Sequence, residues 1–193
     1  LAGHTGLVPD AVLGHSFGGK VALLFAGRGG AAAAALRQVW VIDSTPESRA
    51  PGGSAWTMLE VLRSLPDRFN SRDDLVAAMA EHGVDRPTAQ WMATNLEHRD
   101  GALRWRFDMD AMEALLRSFF DTDAWNVVED PPGDVVIHLV KAEQSSVLDG
   151  ATLERAEAAA RSGRAHVHRV AGGHWVNAEN PAAVEALLVR SLP

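Results

Sequence analysis

Apolar residues gather in four short runs separated by stretches of mixed polarity. The runs are Ala11–Gly14 (AVLG), Val39–Ile42 (VWVI), Val135–Val140 (VVIHLV) and His166–Val170 (HVHRV). The middle two are apolar almost throughout, the mark of strands buried on both faces. Helical spacing of apolar positions predicts helices over Phe17–Gly27, Ala151–Arg161 and Pro181–Ser191. The last has Asn180 placed to cap it and Pro181 in its first turn. Strand–helix alternation of this kind predicts an α/β layer with a parallel sheet and right-handed crossovers.

The segment between the second and third strands has a different pattern. Residues 51 to about 128 predict helices over Thr57–Leu65, Arg72–His82, Pro87–Glu97 and Met109–Phe120, and no strand. Ser71 is placed as an N-cap. Pro46, Pro51 and Gly52–Gly53 punctuate one end of the segment and Pro131–Pro132–Gly133 the other. The expected organisation is therefore a core built from residues 1–50 and 131–193, with a helical lid over 51–130. Five of the six tryptophans follow Pro51, and in a lid they would serve helix packing or an apolar substrate wall. Ala31–Ala35 reads as a helix end or surface turn.

Composition narrows this picture. The 193 residues are 47% hydrophobic and 22% charged, with 18 Lys+Arg against 25 Asp+Glu, a formal charge of −7. That balance fits a globular domain and offers no cationic footprint for nucleic acid or an anionic membrane. No apolar stretch reaches the ~18–20 residues a transmembrane helix requires. The absence of cysteine excludes disulfides, thiolate metal sites and a cysteine nucleophile, and is compatible with an intracellular, reducing compartment.

The chemistry concentrates where strands end. Gly14-His15-Ser16-Phe17-Gly18-Gly19 joins the first strand to the first helix, the context in which G-x-S-x-G projects a serine hydroxyl from a tight turn. Gly14 and Gly18 are expected to remove side chains that would collide across the turn, and Gly19 to let helix approach sheet. The N–H of Phe17, following the nucleophile, is the expected oxyanion donor. A serine needs a base. Of eight histidines, His174 (AGGHW) follows the last strand, on the same sheet rim as Ser16. His15 is expected to turn away from the reacting face, and His138 to be a core residue of a buried strand. His166 and His168 form an H-x-H pair lacking a third metal ligand nearby in sequence. His4, His82 and His98 read as surface or lid residues. Two acids end strands at the same rim: Asp43 (VWVIDSTP) and Glu143 (VVIHLVKAEQSS).

GHSFGGK at Gly14–Lys20, VIDSTP at Val41–Pro46 and GGHWVNAENP at Gly172–Pro181 resemble the α/β-hydrolase superfamily. More narrowly, they resemble its small serine esterases, which include bacterial short-acyl esterases and plant and mitochondrial abhydrolase-domain proteins. SLPDRFNS at Ser64–Ser71 and QWMATNLE at Gln90–Glu97 look most like the plant-type members. The resemblance implies strands five to eight of the family fold, with a helical lid after the sixth. It also implies on the order of 70–100 residues upstream of Leu1, carrying the second oxyanion donor. Most of the superfamily places its acid after the third strand seen here, where this chain reads Ala142-Glu143-Gln144-Ser145. The resembling branch places an aspartate where Asp43 stands, which favours Asp43 with Glu143 the alternative.

The activity implied is a serine hydrolase that cleaves small carboxylic esters or thioesters through an acyl-serine, without a cofactor. Serine at the elbow separates the chain from haloalkane dehalogenases and epoxide hydrolases, which resemble this fold but carry aspartate there. Acyl transfer and C–C bond hydrolysis use the same triad. A non-catalytic binding protein and an inactive fragment of an acyl hydrolase or acyltransferase are the other readings.

Overall fold

The computed structural model describes residues 6–191, and His4 lies outside that range. The chain forms two compact units, one from residues up to Ser48 together with those from Thr122 onward, the other from Arg49–Asp121.

In the first unit, four parallel strands, β1 (Ala11–His15), β2 (Gln38–Ile42), β5 (Val136–Ala142) and β6 (Ala165–Val170), lie in the order β1-β2-β5-β6. Register pairs Gly14 with Val41, Trp40 with His138 and Val140 with His168. Successive side chains of a strand point to opposite faces, and here both faces are covered. Val39 and Val41 join Ile137 and Leu139 on one face. They pack with Leu23 of α1 (Phe17–Arg28), Trp125 of α6 (Trp125–Glu129) and Ala156 of α7 (Gly150–Ala160). Trp40, Ile42, Val140 and Val170 point the other way. They meet Val176 of α8 (Val176–Glu179) and Leu187 of α9 (Pro181–Ser191). Double coverage is why the central strands read as unbroken apolar runs. The residues read as the tail of the inserted segment belong here too, because Trp125 and Val128 are buried in the sheet unit's core. Asn180 donates its side-chain amide to Ala171 O and so ties the β6–α8 loop to the start of α9.

Two glycines let α1 come this close to the sheet. A Cβ on Gly14 would lie 1.9 Å from Gly18 O, and one on Gly19 would lie 2.6 Å from Ser44 Cβ. Gly18 differs from expectation: a Cβ there meets nothing within 4 Å, so the space beside it is open. Gly14→Ala is therefore expected to cost on the order of 3 kcal/mol through overpacking against backbone, and Gly18→Ala much less. Urea unfolding of the two variants checks this, and equal midpoints would contradict it. Lys20, buried in α1, donates from Nζ to Glu47 O and Thr122 O, both at 2.9 Å.

His138 is a core residue with its own electrostatic consequence. Its ring stacks on Trp40 at 4.0 Å, and Nδ1 lies 3.0 Å from His168 Nε2. Nε2 is buried without a partner among the described residues. An unpartnered lone pair costs less than an unpartnered N–H, which assigns the proton to Nδ1 and the acceptor role to His168. Burial, then the neighbouring His168 and His166, lowers the His138 pKa to about 4. The unfolded chain, with an ordinary histidine near 6.5, binds the proton first. Stability is thus full above about pH 6.5 and falls as pH drops toward 4. The wild-type urea midpoint is expected to decline over this interval more steeply than that of His138→Phe, which keeps the stack. Equal slopes would contradict the lowered pKa of His138. Among the described residues no group of three or more His, Cys, Asp or Glu is arranged to hold a metal ion.

The second unit contains α2 (Gly53–Ser64), α3 (Arg72–Glu81), α4 (Arg86–Ala93), a two-stranded sheet of β3 (Leu96–Arg99) and β4 (Ala102–Trp105), and α5 (Met109–Asp121). Leu62, Leu65, Phe69, Leu75, Met79, Met92, Leu96 and Leu103 form its core. Ser71 caps α3 by accepting from Asp74 N at 3.1 Å, and Asp74 returns the bond to Ser71 N. The hairpin replaces the end of the helix expected over Pro87–Glu97. Asp100 and Gly101 both take positive φ, 52° and 76°, as the two-residue turn of a right-twisted hairpin requires. That Asp-Gly pair was the available sequence signal. No described helix is long and apolar enough to cross a membrane.

Candidate active site

Three strand ends of the first unit deliver side chains to one rim of the sheet. β1 runs into Ser16, whose φ of 52° and ψ of −119° lie outside the regions a serine ordinarily occupies. The turn is held by Ser16 N donating to Ile42 O at 2.9 Å and Gly19 N donating to Ser16 O at 2.9 Å. The main chain reverses there and the hydroxyl is left projecting at the N-terminus of α1. Phe17 N–H is the first of that helix, where the helix dipole favours negative charge.

β2 leads directly into Asp43, which also takes positive φ, 41°. Its N–H still donates to Val140 O, so the residue is fixed by one more bond of the β2–β5 ladder. The carboxylate is fully buried. Oδ1 accepts from Ala142 N at 3.2 Å, which leaves Oδ2 for one further donor.

That donor comes from beyond β6. The loop after β6 passes over the end of β5, where Glu143 N donates to Val170 O and Gln144 N to Gly172 O. Gly173 N donates to Glu179 Oε2 at 2.5 Å. His174 follows, with Nδ1 2.7 Å from Asp43 Oδ2 and Nε2 3.0 Å from Ser16 Oγ. The result is a chain of two hydrogen bonds: serine hydroxyl to imidazole Nε2, and imidazole Nδ1–H to a buried carboxylate. Both ring nitrogens of His174 are thereby engaged. Glu143, the alternative acid, is exposed beyond β5 and contributes its backbone to the loop.

His15 does not turn away as expected. The strand's alternation stops at the Ser16 reversal, and the ring lies half-buried against the His174–Trp175 turn. Its Nε2 is 2.7 Å from His174 O, and its centroid 4.9 Å from the His174 ring and 5.4 Å from that of Trp175. Trp175, 53% exposed, is a second residue at this rim that sequence reasoning passed over. Adjacency to His174 was its only signal.

A parallel sheet covered on both faces, with a serine on the first strand–helix turn and a histidine after the last strand, defines a class, and the family comparison agrees. The model of the alpha/beta hydrolase family matches residues 2–187, and the chain belongs to that family. The sn-1-specific diacylglycerol lipase ABHD11 of Mus musculus is 28% identical over 116 residues, 55% of this chain and 36% of that protein. The chain thus spans about a third of the length of this curated relative. Among solved structures, a marine microorganism esterase is similar with a TM-score of 0.79 at 19% identity, over 99% of this chain and 73% of that one. The thioesterase domain from the curacin biosynthetic pathway follows with a TM-score of 0.59 at 17% identity, over 94% and 67%. At these identities the two structures speak for the fold.

Proposed function

We propose that the protein is a serine hydrolase that cleaves small carboxylic esters or thioesters, with Ser16, His174 and Asp43 as its triad. The observation that carries this reading is the pair of hydrogen bonds from Ser16 through His174 to Asp43, ending in a carboxylate with no exposure. Family membership supports it. So do the relatives' descriptions as lipase, esterase and thioesterase.

In this reading Ser16 Oγ attacks the acyl carbonyl while His174 Nε2 takes its proton. The tetrahedral oxyanion develops near the N-terminus of α1, where Phe17 N–H is one donor. His174, now imidazolium, passes the proton to the departing alkoxide or thiolate, which leaves an acyl-Ser16. Water then enters and gives a proton to His174 as it attacks. Collapse of the second tetrahedral species releases the acid and restores the serine. Asp43 fixes the Nδ1–H tautomer and stabilises the imidazolium at both steps. A lid role for residues 51–130 belongs to the same reading.

A fluorophosphonate probe tests it, because such a probe reacts covalently with an activated serine. The protein is expected to carry the label on the peptide containing Ser16, and Ser16→Ala to carry none. Labelling that survives Ser16→Ala would remove the nucleophile assigned here.

A further inference from the structure

The nucleophile's neighbour holds the base. We infer that His15 is a positioning residue for the proposed reaction, its ring fixing the main chain of His174 so that the catalytic imidazole stays in line with Ser16. This inference rests on the serine-hydrolase reading of the site.

The geometry is a closed ring of contacts between a dipeptide and one residue. Ser16 Oγ meets the side chain of His174 at Nε2, 3.0 Å away, while His15 Nε2 meets the carbonyl oxygen of the same residue at 2.7 Å. A carbonyl only accepts, so His15 Nε2 carries the proton, and its neutral ring is the Nε2–H tautomer. The segment leading to His174 contains Gly172 and Gly173, with Gly172 at a φ of 143°, a conformation that favours glycine and leaves few side chains to hold the loop. Its other ties hold the loop from elsewhere: Gln144 N on Gly172 O, Asn180 Nδ2 on Ala171 O, and Glu179 Oε2 on Gly173 N. Those three act before His174 and come from the β5 end and the α8–α9 segment. His15 acts at His174 itself, and it is bonded directly to the nucleophile.

The contact therefore converts the position of β1 into the Ser16–His174 distance. The His174 ring is held by Asp43, and the Trp175 carbonyl by Ala178 N and Glu179 N; the His15 bond is the one that links the His174 carbonyl to the nucleophile's own strand. Displacements near 1 Å at such a site cost about 100-fold in rate. The rings of His15 and Trp175, 5.4 Å apart, also flank the turn and limit its lateral movement.

Two substitutions and one spectroscopic measurement test the inference. Gln places an amide N–H near the location of His Nε2, whereas Phe keeps the ring and supplies no donor. With a short-acyl chromogenic ester, His15→Phe is expected to lower kcat about 10- to 100-fold with KM within about threefold. His15→Gln is expected to recover most of that loss. In protein labelled with 15N-histidine, the His15 ring is expected to report the Nε2–H tautomer, and the His174 Nδ1–H resonance to broaden in His15→Phe. A His15→Phe variant within twofold of wild type, or a His15→Gln variant as slow as His15→Phe, would overturn the positioning role. A His15 ring in the Nδ1–H form would overturn it whatever the turnover. Failure of the wild-type protein to hydrolyse ester or take up the fluorophosphonate would overturn the serine-hydrolase reading, and the tautomer would then decide the His15 tie separately.

Discussion

Asp43→Asn is expected to lower kcat by on the order of 10⁴-fold, while Glu143→Gln stays within about threefold of wild type. The size of the first effect follows from the second hydrogen bond that Asp43 makes. Its Oδ1 accepts from Ala142 N–H, a donor that only an oxygen can satisfy. An asparagine at this position must keep its oxygen there, which turns its NH₂ toward His174. The imidazole then has to accept at Nδ1 and carry its proton on Nε2, facing Ser16. That is the tautomer that cannot take the serine's proton. The variant should fold, since the amide satisfies the same two neighbours, so circular dichroism and the urea midpoint separate lost chemistry from lost structure. Glu143 lies exposed, and both ring nitrogens of His174 are already engaged by other residues. Equal losses in the two variants, or a larger one in Glu143→Gln, would contradict the assignment of Asp43.

Ser16→Ala is expected to lower kcat by on the order of 10⁶-fold, the loss a serine triad suffers when its nucleophile is deleted. Substrate binding should survive, because the hydroxyl contributes little to the ground state, so a non-hydrolysable acyl analogue is expected to bind the variant within about threefold of wild type. Alanine also fits the turn: the strain at φ 52° is a property of the backbone and is nearly the same for both residues. Residual turnover within tenfold of wild type would move the chemistry to another residue.

Strand positions were legible because burial on both faces leaves an unmistakable apolar run, as in VWVI and VVIHLV. The serine was legible because glycines before and after it mark a turn that few other uses would need, and His174 because it follows the last strand at the rim where Ser16 lies. Three features were not. The β3–β4 hairpin was hidden because each strand is only four residues long, and Leu96, four residues after Met92, continues the helical spacing of Pro87–Glu97. The side-chain direction of His15 depends on where the loop after β6 folds, and nothing local to Gly14–Lys20 encodes that. Gly18 shows the converse error: its place in the motif suggested a crowded position, while the turn leaves the space beside it open. The acid was open between two strand ends in the sequence. Both backbones add one bond to a ladder, Asp43 N to Val140 O and Glu143 N to Val170 O, so what separates them is side-chain direction: the Asp43 carboxylate is buried against Ala142 N and His174 Nδ1, whereas the Glu143 side chain is exposed.

The proposed reaction passes through a covalent acyl-enzyme on Ser16. A short-acyl chromogenic ester mixed with the protein and quenched in acid within the first turnover should leave one acyl group per active chain. Peptide mass analysis is expected to place that group on Ser16. An acyl group found on another residue, or stoichiometric burst chemistry that persists in Ser16→Ala, would contradict it.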